Sequence, residues 1–427
     1  MAILAATANV GSEYGMDWNP PQFDATYPPE PVLTSHLDLD PDFADNFVRS
    51  ARWCADGSNL LVQCENRTFQ LFNISNSEGT QFSVHHNRTF PQSSAIVNYA
   101  WYPGASSSNA PAYCFVASVR DCPVKLLDAS DGRLRASYPI VDHRERHIAP
   151  HSLSFNLTAD KLYCGFEDAI EIFDIQQPGE GERLPTTPSK KSKDGLKGII
   201  SSIAFSPSYD YYAIGSLMPS SQVMDNIALY SESNKAPIMP IGGAGTQSGL
   251  KFNPTKPHVL YAAFRRHDVI YAWDLRGDTS APVKVFKTSP GSRKVLTNQK
   301  IEFDIDYAGR WLSNGRISMF DLGDSDELEL DSEPSLQIIS PKLNFDAHEG
   351  QCRGLPSGSR HFDGGITEGD SDDSDSEHPA DQDSDSDSES QDVITMSRRR
   401  PHPYVKDASL KLWSFDTTRR ELDAMLD

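Results

Sequence analysis

Arg265-Arg266-His267 and Arg144-x-Arg146-His147 each set two guanidinium groups beside an imidazole, and that grouping has a defined chemistry. A guanidinium is a permanent cation whose planar fork bonds phosphate through parallel N–H donors and whose flat face stacks on rings. Single-stranded nucleic acid offers both targets, phosphates along its backbone and splayed bases. Arg67, Arg120 and Lys300 add further cations, and Tyr99 and Phe166 are the candidate stacking aromatics. The plainer reading of any one of these cations is a solvated surface residue, because Glu65, Asp121, Glu145, Glu167 and Asp268 are interleaved with them. Arg120-Asp121 and Arg266-x-Asp268 would then be local ion pairs worth about 0–1 kcal/mol each. The choice turns on whether the fold gathers the cations on one side.

Other chemistries find no comparable grouping. The six cysteines, Cys54, Cys64, Cys114, Cys122, Cys164 and Cys352, stand singly with no C-x-x-C pair, which predicts reduced thiols and no structural zinc. Gly242-Gly243-Ala244-Gly245-Thr246 lacks the lysine of a phosphate loop, and there is no His-x-x-x-His pair or Gly-x-Ser-x-Gly elbow. His151 precedes a strand and is expected to serve blade hydrogen bonding rather than proton transfer. Neither a cofactor nor a small-molecule substrate is expected, and an enzyme is the least supported class.

The 427 residues carry 39 Lys+Arg against 60 Asp+Glu, a formal charge of −21. That charge is local. Twelve acidic residues lie between Glu368 and Asp392 and six between Asp324 and Glu333; without those eighteen, about −3 is left. Net acidity therefore does not exclude a nucleic-acid partner, since local patches decide binding. No stretch approaches the roughly 18 apolar residues of a membrane span, and residues 1–11 lack a basic signal-peptide region, so an intracellular protein is expected. The sequons at Asn66, Asn73, Asn87 and Asn156 then read as chance matches.

The elements that must position the cations recur along the chain. Short apolar strands alternate with Asp-, Asn- and Pro-bearing turns, and every third strand ends in an aromatic or Leu followed by a small polar or acidic residue. These endings are Phe72-Asn73, Leu127-Asp128, Phe173-Asp174, Tyr230-Ser231, Trp273-Asp274, Phe320-Asp321 and Trp413-Ser414. Their spacings of 55, 46, 57, 43, 47 and 93 residues sit, apart from the last, near the roughly 40–45 of a four-stranded propeller blade with insertions. The pattern predicts an all-β, seven-bladed propeller over 32–415, with a disordered leader at 1–31, an acidic disordered loop at 363–407 inside the last blade, and a tail at 416–427. A closed propeller must hide its last edge, and residues 32–39 are the candidate closing strand. Trp53, Trp101, Trp273 and Trp413 are expected in the core.

The series Ile96-Val97-Asn98-Tyr99-Ala100-Trp101-Tyr102-Pro103, Arg120-Asp121-Cys122-Pro123-Val124, Gly132-Arg133-Leu134-Arg135-Ala136-Ser137, His151-Ser152-Leu153-Ser154-Phe155, Cys164-Gly165-Phe166, Gly198-Ile199-Ile200-Ser201-Ser202-Ile203-Ala204-Phe205-Ser206 and Thr297-Asn298-Gln299-Lys300-Ile301 resembles the telomerase Cajal body protein family of WD40 proteins, as a divergent, fungal-like member. The resemblance runs over roughly 47–320. It implies a non-catalytic nuclear scaffold that binds the CAB-box loop of box H/ACA small Cajal-body RNAs, and of telomerase RNA where that carries one. It also implies H/ACA particle proteins, survival-motor-neuron and coilin proteins as partners, and a nuclear, Cajal-body location with some protein in the cytoplasm. The alternative is a protein-only WD40 adaptor in spliceosomal particle assembly. Two departures stand out. The blade-six hairpin across Gly309–Ile317 is short, and Gly350-Gln351-Cys352-Arg353 stands where two blade-seven strands belong, through either a degenerate blade or a misplaced splice junction.

In propeller geometry, second-to-third-strand turns and inter-blade connections share one rim. That places Arg67, Arg88, Arg120, Arg144, Arg146, Lys190, Lys191, Lys193, Lys197, Arg265, Arg266, Arg293 and Lys294 on a common face. The acidic loop falls on the same rim, and Ser371, Ser374, Ser384 and Ser386 are phosphorylation candidates, each modification adding about −1.5 to −2 charges. It reads either as a solubilising loop or as a strip that competes with RNA for the arginines.

Overall fold

The computed structural model describes residues 28–37, 40, 42–43, 46–77, 81–189, 191–192, 194–217, 226–242, 247–267, 269–287, 303–314, 318–323, 336–345 and 409–415. Among these every regular element is a strand, and no helix is long and apolar enough to cross a membrane.

The chain begins with β1 (Glu30–His36). The first blade follows as β2 (Val48–Trp53), β3 (Asn59–Cys64), β4 (Thr68–Ser77) and β5 (Gln81–Pro91), and the second as β6 (Ile96–Trp101), β7 (Cys114–Val119), β8 (Val124–Asp128) and β9 (Leu134–Tyr138). The third is β10 (Ser152–Phe155), β11 (Lys161–Phe166), β12 (Ala169–Asp174) and β13 (Glu182–Pro185); the fourth is β14 (Ile200–Phe205), β15 (Tyr211–Ser216), β16 (Ile227–Ser231) and β17 (Pro237–Ile241). The fifth comprises β18 (Gln247–Phe252), β19 (Val259–Phe264), β20 (Val269–Asp274) and β21 (Lys284–Lys287). The sixth comprises β22 (Phe303–Ile305), β23 (Trp311–Asn314) and β24 (Ser318–Asp321). Then come β25 (Gln337–Ile339), β26 (Leu343–Asn344) and β27 (Ser409–Ser414). In each blade consecutive strands pair antiparallel; β25 joins the outer edge of blade five in parallel, and β26 supplies the fourth strand of blade six.

The expected count of seven blades is corrected to six. The seventh ending, Trp413-Ser414, lies in β27, which among the described residues forms a two-stranded ribbon with β1, from Glu30 opposite Ser414 to His36 opposite Ser409. Residues 346–408, from which inner strands of a seventh blade would have to come, lie outside the described residues, as do the leader through residue 27, most of the short blade-six hairpin turn, the acidic stretches and the tail.

Seven apolar clusters join these seven units in a ring. Phe69 and Tyr99 share the cluster between blades one and two, Tyr138 and Phe173 that between two and three, and Tyr163 and Tyr212 the next. Leu229 meets Trp273, Phe286 meets Phe320, Trp311 meets Phe415 after β27, and Leu410 of β27 packs with Val48 of blade one. Because each sheet is sandwiched by two neighbours, strands such as β3 (NLLVQC) and β7 (CFVASV) are buried along their whole length instead of alternating. Large side chains fully buried this way contribute about 1.5–3 kcal/mol each. The buried thiols are correspondingly inert: burial pushes Cys54 up to about 11 and Cys64 to about 12.

Candidate nucleic-acid interface

The second-to-third-strand turns are stitched to the connections between blades, which fixes them at one end of the ring. Gln92 N donates to Arg67 O (2.9 Å), Arg120 N to Ala95 O (2.9 Å), and Asp168 N to Gly198 O (3.0 Å). Four of these turns hold a non-glycine residue in the left-handed region: Arg67 (φ 63°), Asp121 (60°), Asp168 (58°) and Arg266 (60°). The tight reversal between paired strands requires that conformation at one position, and here side chains bear its cost.

Arg67, Arg120 and Arg266 are exposed and project from equivalent turns of blades one, two and five. Arg265 differs. It is half-buried, its Nε has no hydrogen-bond partner, and burial lowers its pKa, so it turns part of its guanidinium away from solvent. Arg144 and Arg146 lie on the connection between β9 and β10, where both main-chain N–H groups donate to Asp142 Oδ1 (2.8 and 2.9 Å) and Arg146 Nε donates to Asp142 Oδ2 (3.2 Å). The N–H of Arg146 is the chief cause of the depressed Asp142 pKa. Arg146 is thus partly neutralised, while Arg144 is exposed. Lys300 and Ser371, Ser374, Ser384 and Ser386 lie outside the described residues.

The two aromatics are corrected. Tyr99 is 0% exposed, donates its hydroxyl to Leu61 O (3.0 Å) and meets Phe69 edge-on at 5.2 Å. Phe166 is 4% exposed. Their ring faces are occupied by Arg52, 4.7 Å from the Tyr99 centroid, and Arg183, 5.1 Å from that of Phe166. Neither offers a base a stacking surface. Arg52 also donates to Tyr99 O and to Asn98 Oδ1 (3.2 Å), so this inner-strand cation joins two blades. Nothing in local sequence separates it from the rim arginines, because its partners lie 46 and 47 residues away. His151 contributes through its main chain, donating to Gly165 O (2.8 Å) and accepting from Asn98 Nδ2 (3.0 Å).

A lysine-bearing connection extends the rim between β13 and β14. Its base is closed by Thr186 N to Asp168 O (2.9 Å), Leu196 N to Thr186 O (2.9 Å) and Thr186 Oγ1 to Leu196 O (2.8 Å). Gly195 (φ 81°) completes the closure, since a Cβ there would run into the Thr186 carbonyl. Lys191 is exposed and Lys197 half-buried. Among the described residues no group of three or more His, Cys, Asp or Glu stands close enough to hold a metal ion.

No family model matches the chain. Telomerase Cajal body protein 1 of Mesocricetus auratus is 31% identical over 307 residues, 67% of this chain and 53% of the relative. The Mus musculus protein of the same name is 30% identical over 318 residues, 70% and 56%. The guanine nucleotide-binding protein negative regulator 1 of Schizosaccharomyces pombe is 26% identical over 285 residues, 63% and 68%. The chain spans about half the length of the telomerase Cajal body proteins it matches.

Proposed function

We propose, from the premise that this chain is a divergent homologue of the telomerase Cajal body proteins, that it is a non-catalytic nuclear scaffold holding a single-stranded RNA loop on its arginine rim. The loop is of the CAB-box type found in box H/ACA small Cajal-body RNAs, and in telomerase RNA where that carries one. The observation that carries the reading is the exposure of Arg67, Arg120 and Arg266 on equivalent turns at one end of the ring. Arg144 supplies a further cation, Arg146 a partly neutralised one, and Arg265 a half-buried one beside Arg266. Lys300 belongs to the same set by its place in the sequence. H/ACA particle proteins, and survival-motor-neuron and coilin proteins, are the partners this reading implies. The destination is the nucleus and its Cajal bodies, with a cytoplasmic fraction.

Crosslinking the tagged full chain in cells, followed by RNA sequencing, tests it: enrichment of H/ACA RNA loops is expected, and a profile without an enriched loop rejects it. That second outcome fits a protein-only adaptor, whether in spliceosomal particle assembly or elsewhere. The Schizosaccharomyces pombe relative favours this alternative, since its name describes a regulator of a guanine nucleotide-binding protein and the chain covers 68% of it.

A further inference from the structure

We propose that Ser189 is a phosphate-acceptor site that regulates the arginine rim, an inference that rests on the RNA-binding reading above. The connection carries Thr187-Pro188-Ser189-Lys190-Lys191-Ser192-Lys193. From sequence, Thr187-Pro188 is the obvious substrate for a proline-directed kinase. The structure excludes it: Thr187 is 7% exposed and its Oγ1 donates to Asp194 O (2.9 Å), with Ser189 O at 3.2 Å. Reaching that hydroxyl would mean opening the base of the loop. Ser189 is exposed, and its Oγ only accepts, from Ser192 N (3.1 Å), a bond that a phosphate oxygen can keep. Ser192 is half-buried, and its Oγ accepts from Asp194 N (3.0 Å). Two lysines directly after Ser189 suit a kinase whose substrate groove is acidic.

The transfer forms a bond between Ser189 Oγ and the γ-phosphorus of ATP and breaks the β,γ-bridging P–O bond. ADP leaves, and the hydroxyl proton passes to the base of the kinase. Residues 189–197 hold four lysines against Asp194, a formal charge of +3. A phosphoserine brings about −1.5 to −2, leaving this part of the rim near +1. Because cations bind RNA by releasing its counterions, the loss falls on affinity and on its salt dependence together.

The test incubates the purified full chain with ATP and a kinase preferring Lys or Arg after the acceptor, and in parallel with a proline-directed kinase. A peptide of residues 183–197 is the unfolded reference, and sites are mapped by mass spectrometry. The expected result is Ser189 modified in both chain and peptide by the first kinase, and Thr187 modified by the second in the peptide alone. Modification of Thr187 in the folded chain, or a silent Ser189 there while the peptide is modified, overturns the assignment. The phosphorylated chain should bind a labelled hairpin RNA with a CAB-box loop about tenfold more weakly at low salt, with Ser189→Ala unresponsive to kinase. If phosphorylation changes nothing while Arg67→Gly/Arg266→Gly weakens binding, the regulation fails and the rim stands. If neither change weakens binding, the rim itself is not the RNA site.

Discussion

Arg67 and Arg266 carry charge on the rim from equivalent turns of blades one and five. Both sit in the left-handed region, at φ 63° and 60°, where a side chain costs about 1–2 kcal/mol relative to glycine. Replacing each by Gly relieves that strain but frees the unfolded chain, at about 0.5–1 kcal/mol. Strain relief is the larger effect, so Arg67→Gly/Arg266→Gly should be at least as stable as the parent, by about 0–3 kcal/mol over the two sites. Alanine would keep the strain. For single-stranded nucleic acid, each phosphate contact contributes about 0.7 to the slope of log affinity against log salt, so losing two contacts makes the slope shallower by about 1.4. Over a fourfold rise in salt, the parent's affinity should then fall about sevenfold more than the variant's. Anisotropy titrations of a labelled CAB-box hairpin RNA across potassium chloride concentrations, with thermal melts alongside, measure both quantities. An unchanged slope in a variant that melts no lower than the parent would refute the assignment of these arginines to RNA.

Three further outcomes follow from the structure. Removing residues 1–36 strips β1 from β27 and leaves a bare strand edge at the ring's closure, so the truncated chain should associate on size exclusion and unfold at lower denaturant than the parent. At Asp128, burial raises the carboxyl pKa, but the bonds from Ser130 and Arg135 outweigh it and hold the group at about 2. This depressed value contributes about 2 kcal/mol above pH ~4 that is lost as pH falls toward ~2, so urea midpoints of Asp128→Asn should lack the parent's acid-side drop. Deleting residues 368–392 should leave RNA affinity unchanged at low salt if the tract only solubilises; a gain in affinity would assign it to competition for the arginines.

The strand endings were legible in the sequence because they do structural work. Asp128, Asp174, Asp274 and Asp321 each close their strand by accepting the N–H two residues on, from Ser130 (2.9 Å), Gln176 (2.8 Å), Arg276 (3.0 Å) and Gly323 (2.9 Å). An aromatic or Leu followed by an acid therefore marks a third strand and its turn at once. Phe72-Asn73 shows the limit of the rule. Asn73 Oδ1 accepts from the Asn87 side chain across the sheet (3.0 Å), no such turn forms, and β4 runs on to Ser77. The blade count failed for a different reason: an ending reports a third strand and says nothing about whether the strands inside it exist. Tyr99 and Phe166 were misplaced because a blade between two neighbours buries both faces, so periodicity cannot tell a rim aromatic from a core one. Their covering arginines, Arg52 and Arg183, come from other strands.

The two ends of the ring use their polar groups differently, and that difference favours the arginine rim as the binding face. On the opposite rim, first-to-second-strand turns bond across blade boundaries: Ser58 with Ser107 (3.3 Å), Asn156 Nδ2 with Glu232 Oε1 (2.9 Å), Asn253 Nδ2 with Gly309 O (3.0 Å) and Thr255 Oγ1 with Ala308 O (3.3 Å). Those side chains hold blades together, and removing Asn156, Asn253 or Thr255 leaves a buried or half-buried partner unpaired, at about 1–3 kcal/mol. On the arginine rim, the inter-blade bonds at Arg67 and Arg120 are made by main-chain groups, while at Asp168 the carboxylate also accepts from Gly198 N (2.6 Å). The side chains of Arg67 and Arg120 are therefore not needed for closure, and they can be given to a ligand without weakening the ring that presents them.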